Sequence, residues 1–203
     1  MSISDTDPSR RGLLVAAAAL PLLAATTGAR AAEKPAKSRE PLDVIDGIET
    51  ELVLNIVATC SDMEATGGKE AGEMSKDGIR DEVWPIIGGR FWGKGIRGTV
   101  VPGGGDFPYV RPDKAVVVDA LYRLKTDDGV TIVIHNKGLG YPATPGREER
   151  YRLQPEFFAP AGKYEWLNKS IFVATLVFPV PPEMAVAKGP RENDRLIQVY
   201  RIV

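Results

Sequence analysis

The sequence predicts an all-β fold, an antiparallel meander β-barrel of about eight to ten strands. Apolar and polar residues alternate with period two through most of the chain, and Gly- or Pro-containing turns recur about every ten residues. No long segment shows helical periodicity. A barrel is favoured over a sandwich because it leaves no sheet edge exposed, and because eight strands can enclose one small ligand.

The N-terminus, residues 1–31, predicts a cleavable twin-arginine signal peptide. Arg10 and Arg11 precede an apolar run of Ala and Leu that extends to Leu23. This run of about 11 residues is much shorter than the ~20 needed to cross a bilayer, so no membrane span is predicted in the mature protein. A small-residue site predicts cleavage after Ala31. We therefore expect a periplasmic or secreted protein.

The mature chain divides into a linker and a single domain. Residues 32–41 are charged and Pro-containing, which predicts a flexible linker, and residues 42–203 form the predicted barrel domain. Ser61–Asp81 is polar and glycine-bearing, which predicts a long loop near one mouth. The predicted strands are Glu51–Cys60, Ile86–Trp92, Arg97–Pro102, Tyr109–Arg111, Val116–Lys125, Val130–Asn136, Ser170–Phe178 and Arg195–Val203. This pattern is typical of lipocalin- or calycin-like barrels.

The clearest hairpin turns at Thr126–Gly129, whose Asp-Asp-Gly suits a type I turn followed by a left-handed glycine. If residue 126 pairs with residue 130, Tyr122 and Asn136 lie on the apolar face of the sheet. Asp119 and Lys137 then oppose each other on the polar face, where they can form an ion pair. Asp119 and Tyr122 therefore cannot both line one simple pocket.

Several chemistries lack support in the composition. Gly93–Gly98 reads G-x-G-x-x-G, but the Gly- and Pro-containing segment after it cannot form the helix that a dinucleotide site needs. One cysteine, Cys60, and one histidine, His135, give neither a disulfide nor a metal-ligand cluster, and Cys60 is expected to be a small buried hydrophobe. The net charge of −1 provides no basic surface for nucleic acid. We predict no cofactor, no metal and no nucleic-acid partner.

Short motifs follow one another in a fixed order through the chain. They are Ile87–Gly93, Arg97-Gly98, Pro102–Asp106, Val110–Asp113, Asp119–Tyr122, Thr126–Gly129, Asn136–Gly138 and Tyr164–Asn168. The string resembles that of the bacterial and fungal DUF3237 family, also called the UPF0311 proteins, over about Leu42 to Val203. The resemblance implies a compact antiparallel barrel with a pocket at one mouth, in a family whose function is mostly unassigned. The position of Trp92 is often a glutamate in that family, so a catalytic carboxylate there would be missing from this chain.

A pocket for a small-molecule ligand or substrate is predicted from polar and aromatic residues around these strands. Asp106, which follows three glycines, is the candidate catalytic residue, and the alternative is a carboxylate that caps its own turn. The candidate ligand-binding residues are Arg97, Asp119, Tyr122, Asn136, Lys137, Trp166 and Asn168. Ordinary core packing is the alternative for Tyr122 and Trp166, and a structural ion pair is the alternative for Asp119 with Lys137.

Two functions remain open. The first is an acid–base enzyme, an isomerase, cyclase or hydratase, with Asp106 as base and Tyr122 or Arg97 at the oxyanion. The alternative is a non-enzymatic periplasmic carrier of a small apolar ligand. An enzyme predicts a polar pocket that contains a carboxylate of shifted pKa, whereas a carrier predicts a larger and nearly uncharged cavity.

Overall fold

The structure, a computed structural model, describes residues 47–65 and 82–203. Its strands are β1 (Thr50–Cys60), β2 (Glu64–Ala65), β3 (Glu82–Gly93), β4 (Ile96–Asp106), β5 (Tyr109–Val110), β6 (Val116–Thr126), β7 (Thr131–Tyr141), β8 (Arg150–Phe158), β9 (Phe172–Val177) and β10 (Asn193–Ile202). Two short 3₁₀-helices span Glu165–Lys169 and Pro182–Met184. The predicted signal peptide, the linker and most of the predicted loop Ser61–Asp81 lie outside the described residues.

Eight long strands close into an antiparallel barrel. In order around the ring they are β1, β3, β4, β6, β7, β8, β9 and β10, and β1 pairs with both β3 and β10 to close it. The two-residue strands β2 and β5 pair with β3 and β6. Every pairing is antiparallel and each long strand adjoins its sequence neighbours, so the predicted meander barrel is confirmed.

The predicted hairpin between β6 and β7 is confirmed in register. The Thr126 N–H donates to the Val130 carbonyl at 2.9 Å, and Gly129 has a φ of 88° in the left-handed region. Tyr122 opposes Ile134 and Asn136 opposes Ala120, as the turn predicts. The alternation of buried and exposed residues along β6 therefore places Tyr122 inside the barrel and Asp119 on its outer wall.

The strand β8 was not among the predicted strands. Its inward positions carry Tyr151, Leu153 and Phe157, which join or pack against the core, so the period-two signal is present in the sequence. Pro155 argues against a central strand, since proline cannot donate to a sheet ladder. In the structure the β8–β9 pairing covers only residues 151–153, so Pro155 lies beyond that ladder.

The two ends of the barrel are filled differently. At the lower end, where β3 and β6 finish, large buried side chains pack together: Leu54, Phe91, Ile96, Leu124, Ile132, Phe157, Tyr164 and Leu167. At the upper end, where β1 and β4 finish, the inner wall carries the small side chains of Ala58, Cys60 and Ala120. Small residues at matched heights leave space inside the barrel, so the upper end holds a cavity.

Candidate functional site

The upper end of the barrel contains a cavity of about 370 Å³. Its apolar walls include Ala58, Ile86, Val116, Val118, Ala120, Leu176 and Ile197. Its aromatic and charged groups include Glu82, Trp84, Asp106, Tyr122, Glu149, Tyr151, Phe178 and Arg195. Apolar surface with a few convergent polar groups is the usual composition of a small-molecule site.

One row of paired residues crosses the back of this cavity. Trp84 of β3 pairs with Asp106 of β4, Asp106 pairs with Ala120 of β6, and Ala120 pairs with Asn136 of β7. Directly paired residues on neighbouring strands point to the same face. Asp106 and Asn136 therefore flank the methyl group of Ala120, and Tyr122 lies one inward position further along β6.

A run of glycines brings Asp106 to this row. β4 shifts its register against β6 between Val101 and Gly105. A Cβ atom on Gly104 would lie only 2.5 Å from the Cβ of Tyr122, so no larger residue fits where the strands approach. The strand that approaches the glycine this closely is β6.

The carboxylate of Asp106 is held from the neighbouring strand. Its Oδ1 accepts a 3.0 Å hydrogen bond from the backbone N–H of Asp119, which is a different arrangement from a carboxylate that caps its own turn. Burial raises the pKa of Asp106 to about 6, and the charges of Asp119 and Glu82 add to this rise. The Asp119 N–H and the Arg195 guanidinium act in the opposite direction and lower the pKa. Asp106 can thus exchange a proton near neutral pH.

Tyr122 and Asn136 present unsatisfied polar atoms at the cavity wall. The two residues are 2% and 1% exposed, and within the described chain neither the Tyr122 Oη nor the Asn136 Oδ1 has a hydrogen-bond partner. Asn136 lies close enough to favour the phenolate slightly, but the two groups do not meet in hydrogen-bond geometry. Burial dominates and raises the pKa of Tyr122, so the hydroxyl keeps its proton as a donor. A buried polar group without a partner costs about 1–3 kcal/mol, which a ligand could offset.

Arg195 was not predicted as a site residue, yet it is the one cationic side chain among the described residues that line the cavity. Its guanidinium carbon lies 5.1 Å from the centre of the Trp84 ring and 4.7 Å from that of Phe178. Its Nη1 donates to the Asp194 carbonyl at 3.1 Å. The sequence did contain a signal for this residue. Arg195 lies two and four residues before Ile197 and Val199, so strand alternation places it on the same inward face of β10.

Cys60 also lines the cavity. Its thiol is buried, and this burial raises the pKa of Cys60 to about 11. The residue therefore stays a neutral thiol, consistent with its prediction as a small buried hydrophobe.

The structure brings Asp106, Tyr122 and Asn136 to the cavity but places the other predicted site residues elsewhere. Those others are Arg97, Asp119, Lys137, Trp166 and Asn168. Arg97 is at the lower end, where its Nε lies 3.0 Å from the Asp127 carboxylate. Asp119 and Lys137 face each other in the predicted register on the outer wall.

Trp166 and Asn168 belong to the 3₁₀-helix that packs beside β8. The Trp166 ring meets the Phe172 ring edge-on at 6.1 Å between centroids, which is a packing role. The side chain of Asn168 binds both backbone groups of Ala159, accepting from its N–H at 2.8 Å and donating to its carbonyl at 2.7 Å. The polar side chain of Asn168 therefore has a structural role, and its residue type alone did not distinguish a ligand contact from a hydrogen bond to a loop.

Other sequence features have structural explanations. Gly93–Gly98 spans the turn of the β3–β4 hairpin, with no helix after it. Trp92 of β3 pairs with Asn55 of β1, and the pairs on either side of this one point into the barrel. Trp92 therefore faces outward, and its ring lies against Arg90. A glutamate at this position would not line the cavity. Within the described ranges, no group of three metal-ligating side chains occurs, and no helix is long and apolar enough to cross a membrane.

A closed eight-stranded antiparallel barrel with a partly polar cavity at one end defines a class of compact, pocket-bearing β-barrel proteins. Sequence comparison places the chain more narrowly. It belongs to the DUF3237 family, whose model, described as a protein of unknown function, matches residues 50–202. The resemblance found from the motifs is therefore confirmed.

Three proteins are similar to this chain in sequence or in fold. A UPF0311 protein of Rhodopseudomonas palustris is 32% identical over 141 residues, which cover 63% of this chain and 87% of that protein. A crystal structure of an R. palustris protein of unknown function matches with a TM-score of 0.61 at 27% identity, over 78% of this chain and 99% of that chain. A β-barrel-like protein of Acinetobacter baumannii has a TM-score of 0.59 at 20% identity, over 78% and 98% of the two chains.

A more distant match is a crystal structure described as an enzyme from Penicillium herquei. It has a TM-score of 0.53 at 20% identity, and the match covers 78% of this chain and 96% of that one. At such identities the likeness to the A. baumannii and P. herquei structures speaks for the fold alone.

Proposed function

We propose that this protein is an acid–base enzyme that acts on a small, uncharged and mainly apolar molecule. The observation that carries the proposal is the position of Asp106. Its carboxyl group, with a pKa raised to about 6, opens onto the same cavity as the unsatisfied Tyr122 and Asn136 side chains. A catalytic acid or base works best when its pKa lies near the operating pH.

The arrangement supports a proton transfer next to a polarised oxygen. A substrate seated over Ala120 would lie between Asp106 and Asn136, with its oxygen able to accept from the Tyr122 hydroxyl. Asp106 Oδ1 is occupied by the Asp119 N–H, which leaves Oδ2 to remove a proton from the carbon beside that oxygen. The charge that develops on the oxygen would be stabilised by Tyr122 and by the positive field of Arg195. Return of the proton to another atom completes an isomerisation, and the same groups can serve a cyclisation or hydration.

The cavity limits the size and charge of this substrate. Its volume of about 370 Å³ lies in the lower part of the range that ligand sites occupy. The acidic groups Glu82, Asp106 and Glu149 outnumber the single cation Arg195 among the described lining residues. An uncharged molecule suits this balance better than an anion.

A carrier of an apolar ligand is the second candidate, and the largely aliphatic walls of the cavity favour it. The distinction between the two functions is the charge in the pocket. Burial of a carboxylate and a guanidinium destabilises the fold, and a protein that only carries an apolar ligand does not require either group. The observed groups therefore support the enzyme over the carrier.

The experiment is hydrogen exchange catalysed by the mature protein in D₂O. Small ketones such as 2-tetralone, 1-indanone and acetophenone are incubated with it, and deuterium uptake beside the carbonyl is followed by NMR. Wild-type protein should accelerate uptake for at least one ketone, and Asp106→Asn should lose at least 100-fold of that rate. The matched control is Asp127→Asn at the opposite end of the barrel, which should keep the wild-type rate.

Two results would count against the enzyme. One is catalysed exchange that survives Asp106→Asn. The other is native mass spectrometry of protein from its own periplasm that shows one unaltered apolar compound bound per chain, without any catalysed exchange. The second result would establish the carrier instead.

We also propose that the protein works outside the cytoplasm. The support is the N-terminal sequence, with its arginine pair, short apolar run and cleavage site after Ala31. Replacement of Arg10 and Arg11 together by lysine should leave the protein in the cytoplasm with its leader attached. The wild-type periplasmic protein should begin at Ala32 by mass spectrometry, and an unprocessed cytoplasmic wild type would refute export.

A further inference from the structure

A chain of two contacts links the cavity to the outer wall of the barrel. Inside, Oδ1 of Asp106 accepts from the backbone N–H of Asp119 at 3.0 Å. Outside, Oδ1 of Asp119 lies 2.7 Å from Nε2 of His135 on the adjacent strand β7. The backbone of Asp119 is further fixed because its carbonyl accepts from the Phe107 N–H at 3.0 Å. Asp119 thus stands between the candidate base and the single histidine of the sequence.

We propose that Asp119 and His135 form a positioning pair, which orients Asp106 and sets its charge state from outside the barrel. The inference rests on the proposed function, since it concerns the base of that reaction. Neither residue lines the cavity. Both act through Asp106 and are therefore distinct from groups that touch the substrate.

The orienting part of this role belongs to the backbone of Asp119. Its N–H engages one oxygen of Asp106 and so fixes the plane of the carboxylate. The second oxygen then serves the substrate in the cavity that Asp106 lines. Because any residue at 119 other than proline supplies the same N–H, side-chain substitutions there leave this contact available.

The charge-setting part belongs to the two side chains. A negative Asp119 behind Asp106 favours the protonated form of Asp106 through like-charge repulsion, as its effect on the pKa of Asp106 indicates. His135 on β7 contacts this carboxylate at 2.7 Å and so holds the charge of Asp119 in place. The side chains of His135 and Asp119 are 24% and 35% exposed, so water screens their interaction only in part.

Other titratable and charged groups lie near His135 and Asp106, and they are the same in wild type and in every variant of the test. His135 faces Glu156 on β8 and has Lys137 two residues along its own strand. The titratable groups that share the cavity with Asp106 are Cys60 of β1, Glu82 of β3, Tyr122 of β6, Glu149 beside β8, Tyr151 of β8 and Arg195 of β10. None of these is altered in the variants below, so a change in Asp106 reports on the pair.

The test is a carboxyl-carbon NMR titration of Asp106 in the ¹³C-labelled mature protein. Asp119→Asn removes the negative charge behind Asp106 and should lower its titration midpoint by roughly half a pH unit or more. His135→Gln removes the imidazole that holds the Asp119 carboxylate at 2.7 Å, so that carboxylate can turn away and the midpoint should fall. Asp127→Asn makes the same chemical change as Asp119→Asn at the other end of the barrel, and should leave the midpoint where it is in wild type.

The outcomes separate this inference from the proposed function. If wild-type Asp106 titrates with an ordinary carboxyl midpoint near 4, the acid–base proposal itself fails. If the wild-type midpoint is raised but neither variant moves it, only the positioning pair is overturned. A purely structural role for the pair predicts a lower melting temperature with an unchanged midpoint. His135→Gln alters a partly exposed side chain, so it keeps the test open even if Asp119→Asn does not fold.

Discussion

The guanidinium carbon of Arg195 lies 5.1 Å from the centre of the Trp84 ring, and Phe178 flanks the same group at 4.7 Å. The two aromatic rings hold a cation at the wall of a cavity that also contains Asp106. Cation–π contacts of this kind contribute about 0.5–2 kcal/mol, depending on how far the cation is removed from water. The charge of Arg195 lowers the pKa of Asp106 and so limits the rise caused by burial.

Arg195→Gln should therefore raise the pKa of Asp106 above its value of about 6. Carboxyl-carbon NMR titration of Asp106 provides the measurement. Arg195→Lys is the matched control, because it keeps the positive charge but loses the planar group that stacks on the rings. The control should leave the pKa close to wild type. Equal shifts in both variants would show that stacking geometry, and not charge, governs Asp106.

Asp106→Asn should abolish acid–base activity while it stabilises the fold at pH 8. The pKa of Asp106 is about 6 in the folded protein against 3.8 for an ordinary aspartate, so the folded state binds the proton more tightly than the unfolded state. Ionisation thus destabilises the fold progressively as the pH rises from about 4 to 6, and the full penalty persists above that range. Removal of the charge should recover roughly 1–3 kcal/mol.

The check is the free energy of unfolding of wild type and Asp106→Asn, measured in urea at pH 8 and again below pH 4. The advantage of the variant should disappear in acid, where the carboxyl group is neutral in both states. An equal advantage at both pH values would mean that packing, and not the buried charge, is responsible.

Most of the fold could be predicted from local sequence, because strand alternation is visible in the residues and the β6–β7 turn sets the register of its two strands. Thr126–Gly129 determines the pairing of β6 with β7, and period two then assigns Tyr122 and Asn136 to the inner face. Pro155 concealed β8, because its effect depends on where the β8–β9 ladder stops. The loop and 3₁₀-helix between β8 and β9 separate the two strands in sequence, and no local pattern describes where their ladder stops.

The site was less predictable for a related reason. Arg195 and Trp84 come from strands far apart in the sequence, and only the stagger of the closed barrel brings them to the height of Asp106. Arg97 and Lys137 have suitable chemistry, but they lie at the lower end and on the outer wall. Residue type and strand phase identify a face of the sheet, whereas the height along the barrel requires closure of all eight strands.

Ala120→Leu should block the site without unfolding the protein. The methyl group of Ala120 lies between Asp106 and Asn136 on the cavity wall, so a leucine would extend into the space proposed for the substrate. We expect deuterium exchange to fall at least tenfold, with a melting temperature equal to or slightly above wild type, because added apolar atoms fill an existing cavity.

Ala174→Leu is the matched control for this substitution. Ala174 is buried in the packed core and does not line the cavity, so the same enlargement should cost about 1–3 kcal/mol of stability through overpacking. If Ala120→Leu is destabilised to the same degree, the upper end is packed and the proposed substrate position is wrong.

The lower end of the barrel should confer sensitivity to acid through Asp128. Its carboxylate accepts hydrogen bonds from Thr126 Oγ1 at 2.5 Å, Lys163 Nζ at 2.9 Å and Tyr164 Oη at 2.8 Å. These contacts, led by that of Thr126, lower the pKa of Asp128. The stabilisation they supply is present above the ordinary aspartate pKa and is lost as the pH falls below it.

Tyr164→Phe removes one of these donors and should lower the melting temperature at pH 7 by roughly 2–4 °C. The loss should shrink at pH 2–3, because below the ordinary aspartate pKa the unfolded state takes up the Asp128 proton and the stabilisation from the lowered pKa declines. Tyr141→Phe, on an exposed tyrosine at the end of β7, is the matched control and should change the melting temperature little. A Tyr164→Phe deficit that is the same at both pH values would assign the stabilisation to packing of the ring at the lower end and not to the Asp128 contact.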